Sequence, residues 1–91
     1  MEIVDYCRNM ENELTAWKAK LFDAANRIDQ LPPPSRKMVQ PRLGELRIIV
    51  ALLEDKIGML KARRPRDWKR FKDDIEEKIN ALRENYSALM D

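Results

Sequence analysis

Apolar residues recur along the first third of the chain in alternating steps of four and three. This spacing is the period of a seam that faces other helices in a left-handed bundle. It predicts a first helix over roughly residues 2–31, which the prolines of "LPPPS" then end. The positions are Ile3, Cys7, Met10, Leu14, Trp17, Leu21, Ala24, Ile28 and Leu31.

A second seam with the same alternation follows the prolines and predicts a helix over about residues 35–62, with Ser35 as its N-cap. Pro41 lies inside this register. Either the helix starts near Ser35 and kinks at Pro41, or it begins with Pro41 in its first turn. Val39 keeps the register, which favours the kinked helix. The seam positions are Val39, Leu43, Leu46, Val50, Leu53, Ile57 and Leu60.

A third seam predicts a helix over about residues 65–90. Pro65 suits its first turn, and Asp67 places a carboxylate near its positive end. One extra step of four makes the seam shift at Ile79, which relaxes the local supercoil. The seam positions are Trp68, Phe71, Ile75, Ile79, Leu82, Tyr86 and Leu89.

Three amphipathic helices of similar length joined by two short connections predict one all-α domain. We expect an antiparallel up-down-up three-helix bundle with coiled-coil-like packing. Formal charges of −2, +6 and −2 for residues 1–34, 35–66 and 67–91 suit a basic middle helix between two acidic neighbours. With Trp17 in the first helix and Trp68 in the third, the outline is similar to that of spectrin-type repeats, although this chain is shorter and has a single copy. That resemblance implies architecture alone.

The stretch "RIIVALLED" carries six consecutive apolar residues, of which the bundle side takes Ile49, Val50 and Leu53, while Ala51 is small and suits either side. Ile48 and Leu52 remain, and with Met59 they share a helical face that points away from the seam. We expect these three residues to form a docking strip for another protein or for a second copy of the chain. Phe22, just off the first seam, either extends this strip or plugs it. The alternative is that a neighbouring helix covers Leu52, or that these are scattered surface residues without a partner.

Composition narrows the class of protein. The chain has 91 residues, 37% of them charged, and its longest apolar run is six residues against the roughly twenty that cross a bilayer. The acidic N-terminus differs from a secretory signal, so we expect no membrane insertion and a cytoplasmic location. Cys7 falls on the first seam, which predicts a buried core thiol.

The chain offers little for catalysis, because it has no histidine, no glycine-rich phosphate loop and no obvious base beside Cys7. We therefore expect a non-enzymatic protein with no catalytic residue, no cofactor, no metal and no small-molecule substrate. Carboxylates at Asp73, Asp74, Glu76 and Glu77 share a helical region as a metal site requires. A solvated acidic turn is the preferred interpretation.

The strongest charge feature is "KARRPRDWKRFK", residues 61 to 72, with seven bases, one acid and two aromatic residues. Bases beside aromatic rings are typical of nucleic-acid surfaces, so nucleic-acid binding is the second functional hypothesis. An acidic protein or an acidic membrane surface would suit the same charges. Trp68 and Phe71 occupy seam positions, and a solvated basic turn is therefore the competing interpretation. The candidate contact residues are Arg63, Arg64, Arg66, Lys69 and Arg70.

Overall fold

The computed structural model describes residues 2–90 and consists of three α-helices. These are α1 (Ile3–Asp29), α2 (Pro33–Arg63) and α3 (Trp68–Met90). Successive helices run antiparallel, and α2 packs closely against both of the others. The bundle is a rod measuring 50 × 18 × 18 Å. The predicted all-α, antiparallel three-helix bundle is confirmed.

The proline run both ends α1 and begins α2. Pro33 and Pro34 occupy the first two positions of α2, where a missing backbone N–H needs no acceptor. The amide of Arg36 donates to the Pro32 carbonyl at 3.0 Å. Ser35 therefore lies within the first turn, and the prediction that it caps the helix is wrong. The helix also continues through Pro41, so it does not begin there, and the kink at Pro41 stays a prediction.

The second connection lies between Arg63 and Trp68. Arg64 takes the left-handed conformation with φ of 44°, and its amide donates to the Leu60 carbonyl at 3.0 Å. This geometry terminates α2. Helix α3 starts at Trp68, three residues later than predicted, so Pro65 belongs to the connection.

The core is built from the three predicted seams. Side chains near the middle of the rod are almost fully enclosed, whereas those at the ends of the seams are only partly covered. Leu31 lies past the end of α1 and is 36% exposed, so its predicted seam position is not a core position. The most enclosed large side chains are Leu46, Leu53, Leu60, Ile75 and Leu82.

Aromatic pairs connect α1 with α3, whose backbones approach each other less closely than either approaches α2. The rings of Trp17 and Tyr86 meet edge to face with centroids 5.3 Å apart. Those of Tyr6 and Trp68 are tilted, with centroids 5.5 Å apart. Large side chains span the wider gap between these helices, and such pairs add to the energy of burial.

We predict that Trp17→Ala lowers the free energy of unfolding by about 3 to 5 kcal/mol, because the ring is buried between two helices. Urea denaturation followed by circular dichroism measures the change. A loss below about 1 kcal/mol would place Trp17 at the surface and contradict the packing of α3 onto α1.

Candidate partner-binding surface

The outer strip consists of Ile48, Leu52 and Met59, which point away from the core on α2. Their exposed fractions are 61%, 45% and 42%, whereas the neighbouring Leu53 is fully buried. At 100° per residue the three side chains lie within about 40° of one another around the helix. Neither α1 nor α3 covers them. The predicted exposure of these residues is present in the structure, and their role in binding stays a prediction.

Phe22 is the fourth predicted residue and is 66% exposed on α1. The ion pair between Lys18 and Glu54, with Nζ and Oε1 2.5 Å apart, sets the alignment of α1 against α2. Phe22 is one turn beyond Lys18, which places it at the height of Val50 along the rod. It does not plug the outer strip, because Leu52 stays 45% exposed. An apolar side chain on α1 thus stands level with the strip.

Small residues follow the edge of the outer strip that faces α1. Gly44, Ala51 and Gly58 recur every seven residues. A Cβ atom added at either glycine would meet nothing within 4 Å. Ala51 lines a groove between α1 and α2, and Gly58 lines a second groove further along. The backbone of α2 is therefore open to close approach along this edge.

Three further apolar side chains are also exposed, of which the sequence patterns had named only Leu31, as a seam residue. Met38 is 77% exposed near the start of α2, and Val4 is 41% exposed on α1. Leu31 lies in the connection after α1. Met38 lies fourteen residues before Leu52, so it points to the same side of α2 as the outer strip, whereas Val4 and Leu31 lie on α1 or just after it.

The basic segment lies at the end of the rod where α2 passes into α3. All five of its candidate contact residues are exposed. Arg70 lies 4.0 Å from the Asp67 carboxylate, a distance at which an exposed ion pair is weak. The two aromatic residues of the segment are half-buried, and Trp68 packs against Tyr6. The basic segment therefore exposes its cations to solvent, whereas its two aromatic rings contribute to the core.

The acidic turn of α3 is engaged in ion pairs. The Asp74 carboxylate contacts the ammonium groups of Lys56 and Lys78, the latter at 2.9 Å. Among residues 2–90 no group of three or more potential ligands is arranged to hold a metal ion. Asp73, Glu76 and Glu77 are exposed, as the preferred interpretation of a solvated acidic turn expected, whereas Asp74 is half-buried and contributes to helix contacts.

Two titratable groups of α1 lie in the core. Burial raises the pKa of the Cys7 thiol, which is 2% exposed, and so opposes formation of a reactive thiolate. Burial, reinforced by the carboxylate of Glu76, raises the pKa of Tyr6 to about 12. The Tyr6 hydroxyl donates to the Lys72 carbonyl at 3.5 Å. The sequence patterns missed Tyr6 because it precedes the seam residue Cys7.

Searches for related proteins and for membrane segments supply no function. Within the described part of the chain, no helix combines the length and the apolar character that crossing a bilayer requires. No protein-family model, no curated protein and no solved structure matches the chain. The exposed surface of the bundle is therefore the feature from which a function can be inferred.

The buried Tyr6 hydroxyl makes stability depend on alkaline pH. The pKa of Tyr6 is about 12 in the folded chain, against 10 for an unperturbed tyrosine. The contribution of its hydroxyl to the free energy of unfolding is therefore fully present below pH 10 and is lost as pH rises toward 12. Urea denaturation at several pH values measures this loss. In Tyr6→Phe, which keeps the ring, the loss between pH 9 and 11 should be smaller than in the wild type. Equal losses would contradict burial of the hydroxyl.

Proposed function

We propose that this chain is a small non-enzymatic interaction module that binds another protein, or a second copy of itself, through the outer strip of α2. The observation that carries the proposal is the exposure of Ile48, Leu52, Met59 and Phe22, each 42% or more, on a bundle that already has a continuous core. Contiguous exposed apolar side chains are typical of interaction sites. We keep a cytoplasmic location as part of this proposal.

The shape of the surface also favours a helical partner. The strip has helical spacing on a straight rod, and the small residues along its edge leave room for a second helix to lie against α2. An amphipathic helix binds such a surface by placing its own apolar side chains between those of α2. Full burial contributes about 1.5 to 3 kcal/mol for each large apolar side chain before the cost of association, so the outer strip by itself supports a weak contact.

We expect Leu52→Lys to separate folding from binding. Leu52 is outside the core, so helix content and melting temperature should change little, whereas a buried lysine ammonium would prevent a partner from docking. Pull-down from native lysate, with and without nuclease, compares the wild type with the variant. Proteins retained by the wild type should be lost.

Val4→Lys is the matched control, because it adds the same charge at an apolar side chain of similar exposure on α1, away from the outer strip. It should retain the same proteins as the wild type. Unfolding of Leu52→Lys would instead show that the strip is required by the fold, and equal capture by both variants would remove the strip as the contact surface.

The basic segment supports a second candidate function, binding of nucleic acid. The observation that favours it is the cluster of five exposed cations at one end of the rod. Phosphate contacts need only such charges. Stacking of nucleobases on Trp68 would require its ring to leave Tyr6, so the segment suits backbone contacts better than recognition of bases.

If the cluster contacts phosphates, the logarithm of the affinity should fall steeply with the logarithm of the salt concentration. Each phosphate contact contributes nearly one to that slope, so reversing the charge of Arg66 and Lys69 should reduce it by about two. Fluorescence anisotropy with single- and double-stranded probes measures the slope. Absence of binding to both probes at about 50 mM salt would remove this candidate.

A further inference from the structure

We propose that the partner of the outer strip is the outer strip of a second copy of this chain, with the two α2 helices antiparallel. This inference rests on the proposed function, because it names the partner of the same surface. Three features of α2 support it: a second heptad row, an open edge and a self-complementary pair of charges.

The outward face of α2 has a heptad row of its own. Around the outer strip, positions follow one another in steps of three, four, three, four and three, the alternation that characterises a seam between helices. All of these positions are exposed. Helix α2 therefore carries two seams, of which the bundle covers one. The outward row is Glu45, Ile48, Leu52, Asp55, Met59 and Ala62.

One alignment of two antiparallel rows joins Ile48 of each copy to Met59 of the other. When Ile48 lies opposite Met59 of the second copy, Leu52 lies beside Asp55 of that copy near the twofold axis. Each contact then occurs twice, as twofold symmetry requires. The small residues Gly44, Ala51 and Gly58 form one open edge of this contact and allow the helices to approach closely.

Charge complementarity selects a second copy in this orientation. Glu45 and Arg63 lie on the other edge of the row, both exposed, and neither makes an ion pair within residues 2–90. In the antiparallel alignment, the positions of Glu45 of one copy and Arg63 of the other differ by only about 1.5 Å along the helix axis. In a parallel pair in register, Glu45 of one copy and Arg63 of the other would instead lie about 27 Å apart along the helix axis and could not pair.

Acidic residues in the row disfavour one shifted alignment and limit the strength of the dimer. A shift by one heptad would place Glu45 opposite Asp55 of the second copy, and two carboxylates would repel each other. In the favoured alignment Asp55 lies near its own symmetry mate. The few apolar side chains per copy also bury less than the roughly 800 Å² per partner of a stable interface. The dimer is therefore weak and has to be measured at high concentration.

Charge reversal tests this dimer directly. Glu45→Arg alone creates two contacts between arginines, and Arg63→Glu alone creates two contacts between carboxylates. Each variant should dimerise about tenfold more weakly than the wild type in sedimentation over a hundredfold concentration range. An equimolar mixture of the two restores both opposite-charge contacts in a heterodimer. Association in the mixture should return to the level of the wild type.

Both substitutions are at exposed positions, and circular dichroism of each variant shows whether the helices are intact. The double variant Glu45→Arg with Arg63→Glu provides a second measurement, since it should dimerise with itself like the wild type. A wild type that stays monomeric over the whole range overturns the inference, and so does a dimer whose association is not recovered in the mixture. Loss of a foreign partner in Leu52→Lys would then leave the proposed function standing without the dimer.

Discussion

A row of three leucines on α2 is the contact on which the bundle depends. Leu46, Leu53 and Leu60 recur every seven residues and are no more than 1% exposed. Because α2 packs against both other helices, this row is where their apolar faces meet. Helix α3 contributes Ile75 and Leu82 to the core, which are also seven residues apart and fully buried. Burial of these side chains supplies the main driving force for closing the three helices together.

The leucine row also determines which side of α2 stays exposed to solvent. Because one face of α2 contacts both neighbouring helices, its core contacts are confined to that face. The opposite face is exposed to solvent. On α1 and α3 the opposite side is mainly polar, whereas α2 places Ile48, Leu52 and Met59 there. Because these three residues lie outside the core, we expect the stability of the monomer to depend little on them. A change in the outer strip can therefore alter binding without altering the fold, which is the property expected of a docking surface.

The sequence predicted the helices and most of the core because spacing alone determines which side chains of a helix share a face. It also predicted the exposure of Leu52, since a residue opposite the seam has no neighbour in a three-helix bundle. Helix ends were predicted less well. Pro33 serves as a first-turn residue and Pro65 as part of a connection, and residue type alone does not distinguish these two roles. Tyr6 was missed because an aromatic ring beside a seam can fill the gap between α1 and α3 only when those helices are placed.

The charges of α2 explain why the candidate partners differ in kind. Within residues 2–90, the bases of α2 that pair with acids of a neighbouring helix are Lys56, with Asp74, and Lys61, with Glu11. The other bases of α2 keep its positive charge on the surface, where it attracts anions over about 10 Å at physiological salt. That general attraction suits nucleic acid or an acidic protein, and it opposes the approach of a second copy. The proposed self-association would therefore depend on local pairing, in which Glu45 of one copy meets Arg63 of the other beside the apolar contacts.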